Sequence, residues 1–63
     1  MKASYKMRQT IERLERKFGK LEKDYFVEPY SVHRGFYDGC RLTSNIQSVH
    51  INIIVAHDGS FWR

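Results

Sequence analysis

The chain has 63 residues, a formal net charge of +4 and one cysteine. This length allows one domain, residues 1–63, and leaves no room for a second. The lone Cys40 excludes a disulfide within the chain, and the scattered histidines lack the paired spacing of a zinc site. The longest apolar run, 53–56, is too short to span a membrane, and residues 1–7 do not resemble a secretory signal. We therefore expect a cytoplasmic protein without a metal or other cofactor.

The first third of the chain carries a heptad of apolar residues. Ser4 can cap a helix, and Pro29 prevents a helix from continuing beyond it. Gaps of four and three residues place the apolar side chains on one side of a helix. The pattern predicts a helix over residues 5–25 with this buried face: Met7, Ile11, Leu14, Phe18, Leu21 and Tyr25.

A second stripe with the same spacing is basic. Residues 2–24 hold eight Lys and Arg against four acidic residues, whereas residues 25–63 hold three of each, so the first segment accounts for the whole net charge of +4. A solvated helix face is the ordinary explanation for such a stripe. The functional explanation is an anionic partner, which predicts binding by Arg13, Arg16, Lys20 and Lys23.

The sequence pattern after the helix predicts mainly β-strands. Residues 25–32 are rich in β-formers, but Pro29 restricts them to an edge strand or a loop. Alternation predicts strands over 36–43 and 47–57, and the Asp58-Gly59 pair predicts a hairpin turn before a short strand over 60–63.

These elements predict an α+β fold, with one N-terminal amphipathic helix packed on a small antiparallel β-meander of three to four strands. The heptad face of the helix should cover one face of the strand over 47–57. The side chains that alternate onto that face are Val49, Ile51, Ile53 and Val55.

The opposite face of the same strand carries polar side chains. It holds Ser48, His50, Asn52 and Ile54, and Tyr37 and Arg41 of the neighbouring strand can join them. An aromatic residue, an arginine and a histidine on one sheet face suit a single-stranded RNA binder. The same face can instead form a dimer interface or remain solvated.

Three further features of the sequence give weaker indications of function. His33, His50 and His57 could supply the acid and base of a minimal metal-independent ribonuclease, although nothing in their spacing shows that any two of them are close. Cys40 shares the parity of Phe36 and Leu42 and is expected to be a small buried residue. The pair Phe61-Trp62 either closes the core or anchors a partner.

The function expected from these patterns is binding rather than catalysis. A chain this short buries only about 60% of its unfolded surface, which favours stabilisation by a homodimer. The expected partner is nucleic acid or an acidic protein surface. The alternative is a small inhibitor or accessory protein that binds another protein through its sheet face or aromatic C-terminus. The ribonuclease is the third hypothesis.

Overall fold

The computed structural model describes residues 2–31 and 36–63. It has one helix, α1 (Tyr5–Phe18), followed by the four strands β1 (Leu21–Phe26), β2 (Gly39–Ser44), β3 (Asn52–Ala56) and β4 (Phe61–Trp62). The strands form one antiparallel sheet in the order β1-β2-β3-β4, and α1 packs against it. The predicted α+β fold with an N-terminal helix and a β-meander is confirmed.

The start of α1 agrees with the sequence prediction. Ser4 is the N-cap, and its side-chain oxygen accepts a hydrogen bond from the Met7 N–H at 3.1 Å. The same hydroxyl donates to the carbonyl oxygen of His57 at the far end of the chain. The cap therefore satisfies a helix N–H and also holds α1 against the turn that follows β3.

The predicted end of the helix is wrong. Gly19 ends α1 with a φ of 86°, a conformation that other residues rarely adopt, and its N–H donates to the Glu15 carbonyl oxygen at 2.8 Å. The chain then reverses into β1, so Leu21 and Tyr25 lie on a strand. A separation of four residues places two side chains on the same face of a helix and also on the same face of a strand. The spacing of Leu21 and Tyr25 was therefore compatible with a helix and with a strand.

The remaining strands are shorter than predicted. β1 replaces the edge strand expected over 25–32, and β3 begins only at Asn52. Val49 precedes β3 and is 45% exposed, so its predicted place under the helix is wrong. Ile53 and Val55 are buried as expected, and Ile51 packs against the edge of the core. The Asp58-Gly59 turn is confirmed, because Ala56 and Ser60 pair across it with an N–H···O distance of 2.8 Å.

The core lies between α1 and one face of the sheet. Cross-strand register places Leu42 between Lys23 and Ile53, and Cys40 between Tyr25 and Val55. The helix therefore covers only the face that carries the odd-numbered residues of β1 and the even-numbered residues of β2. The buried apolar side chains are Met7, Ile11, Leu14, Leu21, Cys40, Leu42, Ile53 and Val55.

The β3–β4 hairpin is fastened to α1 by a second contact. The buried Thr10 hydroxyl donates to the Gly59 carbonyl oxygen at 2.7 Å. Gly59 has a φ of 91°, and a Cβ at this position would lie 3.3 Å from the Lys6 carbonyl oxygen. The turn therefore needs glycine both for its conformation and for its close approach to the helix. This contact places β4 alongside α1.

Candidate functional site

The sequence suggested seven binding residues, four on a basic helix stripe and three on one sheet face, and the structure does not keep either group together. Arg13 and Arg16 lie on α1, Lys20 follows its C-cap, and Lys23 lies on β1. Because α1 ends at Phe18, the basic stripe does not continue along one helix. The other three predicted residues occupy separate parts of the sheet and its connections: Tyr37, Arg41 and His50.

Lys23 is part of an ion pair. Its Nζ lies 2.9 Å from Glu15 Oε2, and the same oxygen accepts the Leu21 N–H at 2.9 Å. The Leu21 N–H, followed by Lys23, holds the pKa of the Glu15 carboxyl below its ordinary value of 4.5. We refer to Glu15, Leu21 and Lys23 as the Glu15 clip, since they join the end of α1 to the start of β1.

The Glu15 clip makes a pH-dependent contribution to stability. The folded state lowers the pKa of Glu15, so its contribution is present above pH 4.5 and is lost as the pH falls through the lowered value. We expect Glu15→Gln to reduce the free energy of unfolding at pH 7 by about 1 kcal/mol, because a neutral acceptor replaces a charged one. Urea denaturation should show the difference from the parent shrinking towards pH 3, whereas the exposed Glu12→Gln change should have little effect at either pH.

Arg16 and Lys20 also lie beside acidic side chains. Together with Glu12 and Glu15 they line one shallow depression on the outer side of α1. Two positive and two negative charges nearly cancel there. This part of the predicted basic stripe therefore offers an anion less attraction than its sequence pattern implied.

Tyr37 does not share a face with Arg41. Its ring centre lies 4.9 Å from that of Tyr25, and it packs at the edge of the core on the helix side of the sheet. Burial also raises the pKa of the Tyr25 hydroxyl. The expected grouping of Tyr37 with Arg41 is wrong because regular strand structure begins at Gly39, so the alternation does not extend back to residue 37.

The histidines are also separated. His50 precedes β3 and His57 follows it, so roughly 20 Å of extended chain lies between them at about 3.3 Å per residue. His33 lies outside the described residues. His50 and His57 therefore do not form an acid–base pair, which leaves the ribonuclease hypothesis without support from these two side chains.

Three cations converge on a cleft between α1 and β4. Arg13 and Lys17 come from consecutive turns of the helix, and Arg63 follows β4. The cleft has a volume of 370 Å³, and Leu14 and Ile53 contribute apolar side chains to its lining. No acidic residue lines it, and none of its three cations forms an ion pair within residues 2–31 and 36–63. We call this region the basic cleft.

Aromatic side chains complete the basic cleft. Phe61 and Trp62 lie on the edge strand β4, and each is 53% exposed. Phe18 lies at the other side, where the Lys17 Nζ is 5.4 Å from the centre of its ring. Cations beside accessible rings bind planar anionic ligands through both charge and stacking.

The fold explains why these residues meet. The Thr10–Gly59 and Ser4–His57 hydrogen bonds hold the hairpin against α1. Side chains of β4 that point towards the helix then lie beside the turns that carry Thr10, Arg13 and Lys17. Phe61 is opposite the buried Val55 in the register, so it is on the helix side of the sheet.

The sequence pattern indicated only part of this cleft. Arg13 was among the predicted residues, but Lys17 and Arg63 were not. Lys17 lies four residues after Arg13, which places the two on one side of a helix, and this spacing was a usable signal. The place of Arg63 in the cleft depends on the return of β4 to the helix. Nothing in the sequence around Arg63 indicates that it lies near α1.

A second groove lies on the sheet face opposite α1. The Phe26 ring lies directly over Gly39, where a Cβ would fall 2.4 Å from the ring. Phe26, Ile54 and Trp62 line a groove of 450 Å³, whose rim includes the acidic Glu28 and Asp38. Arg41 also lies on this face, next to Asp24 and Ile54 in the register. We call this region the far-face groove.

Comparisons with protein-family models, curated proteins and solved structures find no match for this chain. Among the described residues, no helix is both long enough and apolar enough to cross a bilayer.

Proposed function

We propose that this protein is a small non-enzymatic binding module that binds nucleic acid through the basic cleft. The observation that carries this proposal is the meeting of Arg13, Lys17 and Arg63 around exposed aromatic rings without an acidic neighbour in the cleft. Cations without neighbouring negative charges repel one another, and bound phosphate groups would relieve that repulsion.

The proposal refines the residues expected from the sequence. Arg13 remains in the binding surface and is joined by Lys17 and Arg63. Arg16 and Lys20 adjoin the acidic Glu12 and Glu15, so they contribute less. Lys23 is engaged by the Glu15 clip, and Tyr37, Arg41 and His50 do not line the cleft.

Salt dependence provides the direct test. Three phosphate contacts should make log K fall linearly with log salt, with a slope of about −2 on a single strand. Fluorescence anisotropy of a labelled oligonucleotide, measured from low to physiological salt, gives this slope. The absence of binding to both DNA and RNA at low salt would contradict the proposal.

The second candidate is a protein-binding accessory or inhibitor that uses the far-face groove. The supporting observation is the exposed Trp62 beside Phe26 on a sheet face that no helix covers among residues 2–31 and 36–63. Apolar contacts of this type depend little on salt. Binding that persists at high salt and is lost in Phe26→Ala would favour this candidate over the first.

The proposal includes a homodimer in a reducing, cytoplasmic compartment. Cys40 is buried and free, as suits such a compartment, and the sheet face opposite α1 has no described helix on it and could receive a second copy. We expect sedimentation equilibrium at micromolar concentration to give the mass of two chains. A single-chain mass throughout, with a melting temperature independent of protein concentration, would rule out the dimer.

A further inference from the structure

We infer that the basic cleft accepts one unpaired base of a single strand, with the base against Phe61 and the flanking phosphates on Arg13, Lys17 and Arg63. This inference rests on the proposed function and specifies its ligand. It follows from the shape of the cleft, from its apolar lining and from the positions of its cations.

The lining of the cleft suits a flat apolar surface. Leu14 and Ile53 belong to the buried core, and Phe61 is half exposed beside them. A planar ring placed there would cover the exposed surface of Phe61 above the nearly buried Leu14 and Ile53, and would gain a stacking contact, which water cannot provide. A phosphate alone would leave these surfaces uncovered.

The volume of 370 Å³ lies near the lower end of the range for small-molecule pockets, about 300–1,000 Å³. It therefore suits a single base better than a stack of several. Arg13 and Lys17 come from one side, and Arg63 from the other, so the cations flank this space. A strand crossing the cleft can place phosphates on both sides of an inserted base.

A double helix does not fit the same arrangement. Its base faces are covered by their neighbours in the stack, so none is free to contact Phe61. Reading a major groove about 12 Å wide requires a projecting helix or a projecting two-stranded β-ribbon. The cationic side of α1 instead faces a recess, with β4 alongside it.

Trp62 is the only tryptophan of the chain and borders both the basic cleft and the far-face groove, so its fluorescence detects binding, and the Phe61→Leu variant assigns that binding to the cleft. We would titrate the full chain with oligothymidylate and oligouridylate of eight nucleotides and with a duplex of equal length, at one low salt concentration. We expect saturable fluorescence changes with at least one single strand and roughly tenfold weaker binding of the duplex.

Phe61→Leu tests the stacking contact, with Tyr5→Leu as a matched change of an exposed aromatic residue outside the cleft. Phe61→Leu should weaken single-strand binding by roughly fivefold or more, as expected for loss of one base–aromatic stack, and should not change duplex binding. Circular dichroism melting curves confirm that both variants fold.

The outcomes distinguish the inference of a bound base from the broader proposal of nucleic-acid binding. Equal affinity for single strand and duplex, or an unchanged affinity in folded Phe61→Leu, overturns the inference and leaves nucleic-acid binding in place. Failure of every probe to bind at low salt overturns both. A loss in Tyr5→Leu equal to that in Phe61→Leu also overturns the assignment of the base to this cleft.

Discussion

Replacing Leu42 with alanine should leave this protein largely unfolded at room temperature. Leu42 is fully buried at the centre of the sheet, between Lys23 and Ile53 in the register. Truncation of a buried leucine costs about 2–5 kcal/mol, because contacts are lost and the surroundings close the cavity only in part. Small domains have little more stability than this in total.

Ile46 provides the matched control for Leu42. It is an aliphatic residue of the same size in the β2–β3 connection, and it is 58% exposed. Ile46→Ala should change the free energy of unfolding by about 0.5 kcal/mol or less. Urea denaturation followed by circular dichroism compares the two variants. A cooperative transition in Leu42→Ala at the denaturant concentration of the parent would contradict the described core.

Reversing the charges of Arg13 and Lys17 should abolish most of the proposed nucleic-acid binding. In the double variant Arg13→Glu/Lys17→Glu, two of the three cations of the basic cleft become anions. We expect the affinity to fall by roughly tenfold or more at low salt, and the slope of log K against log salt to become shallower by about 1.4, which leaves about −0.7 for the remaining Arg63 contact. Both side chains border an open cleft and form no ion pair with a described residue, so the main loss of stability should be the contact of Lys17 with the Phe18 ring, about 0.5–1 kcal/mol.

The matched control for this double variant is Arg16→Glu/Lys20→Glu. It changes the net charge by the same amount on the outer side of α1, where Glu12 and Glu15 are already present. Anisotropy titrations at equal salt should show a much smaller loss of affinity. Equal losses in the two double variants would mean that net charge, rather than the basic cleft, determines binding.

The sequence predicted the architecture because its signals were periodic and local. The Ser4 cap, the heptad up to Phe18 and the Asp58-Gly59 turn each depend on neighbouring residues, and all three are present in the structure. Gly19 was the missed signal, because glycine commonly occupies the position at which a helix ends.

The candidate site was harder to predict because it depends on contacts between distant residues. Arg13 and Arg63 meet only because the hairpin returns to α1, which the Thr10–Gly59 hydrogen bond secures across 49 positions. Helical periodicity alone grouped Arg13 with Arg16, whereas the structure places them in different surroundings. The alternation of polar and apolar residues likewise does not show where a strand begins. The predicted strand therefore extended back to residue 36, and Tyr37 was assigned to the wrong face of the sheet.

The Glu15 clip has a further consequence for the behaviour of this protein at high concentration. β1 is an edge strand, and edge strands of one molecule can pair with those of another to form continuous sheets and aggregates. The Leu21 N–H is occupied by Glu15, and the Leu21 carbonyl oxygen accepts the Lys23 ammonium at 3.3 Å. Symmetric antiparallel pairing centred on residue 22, 23 or 24 would also oppose two glutamates, two lysines or two aspartates. The start of β1 is thus protected against intermolecular sheet growth.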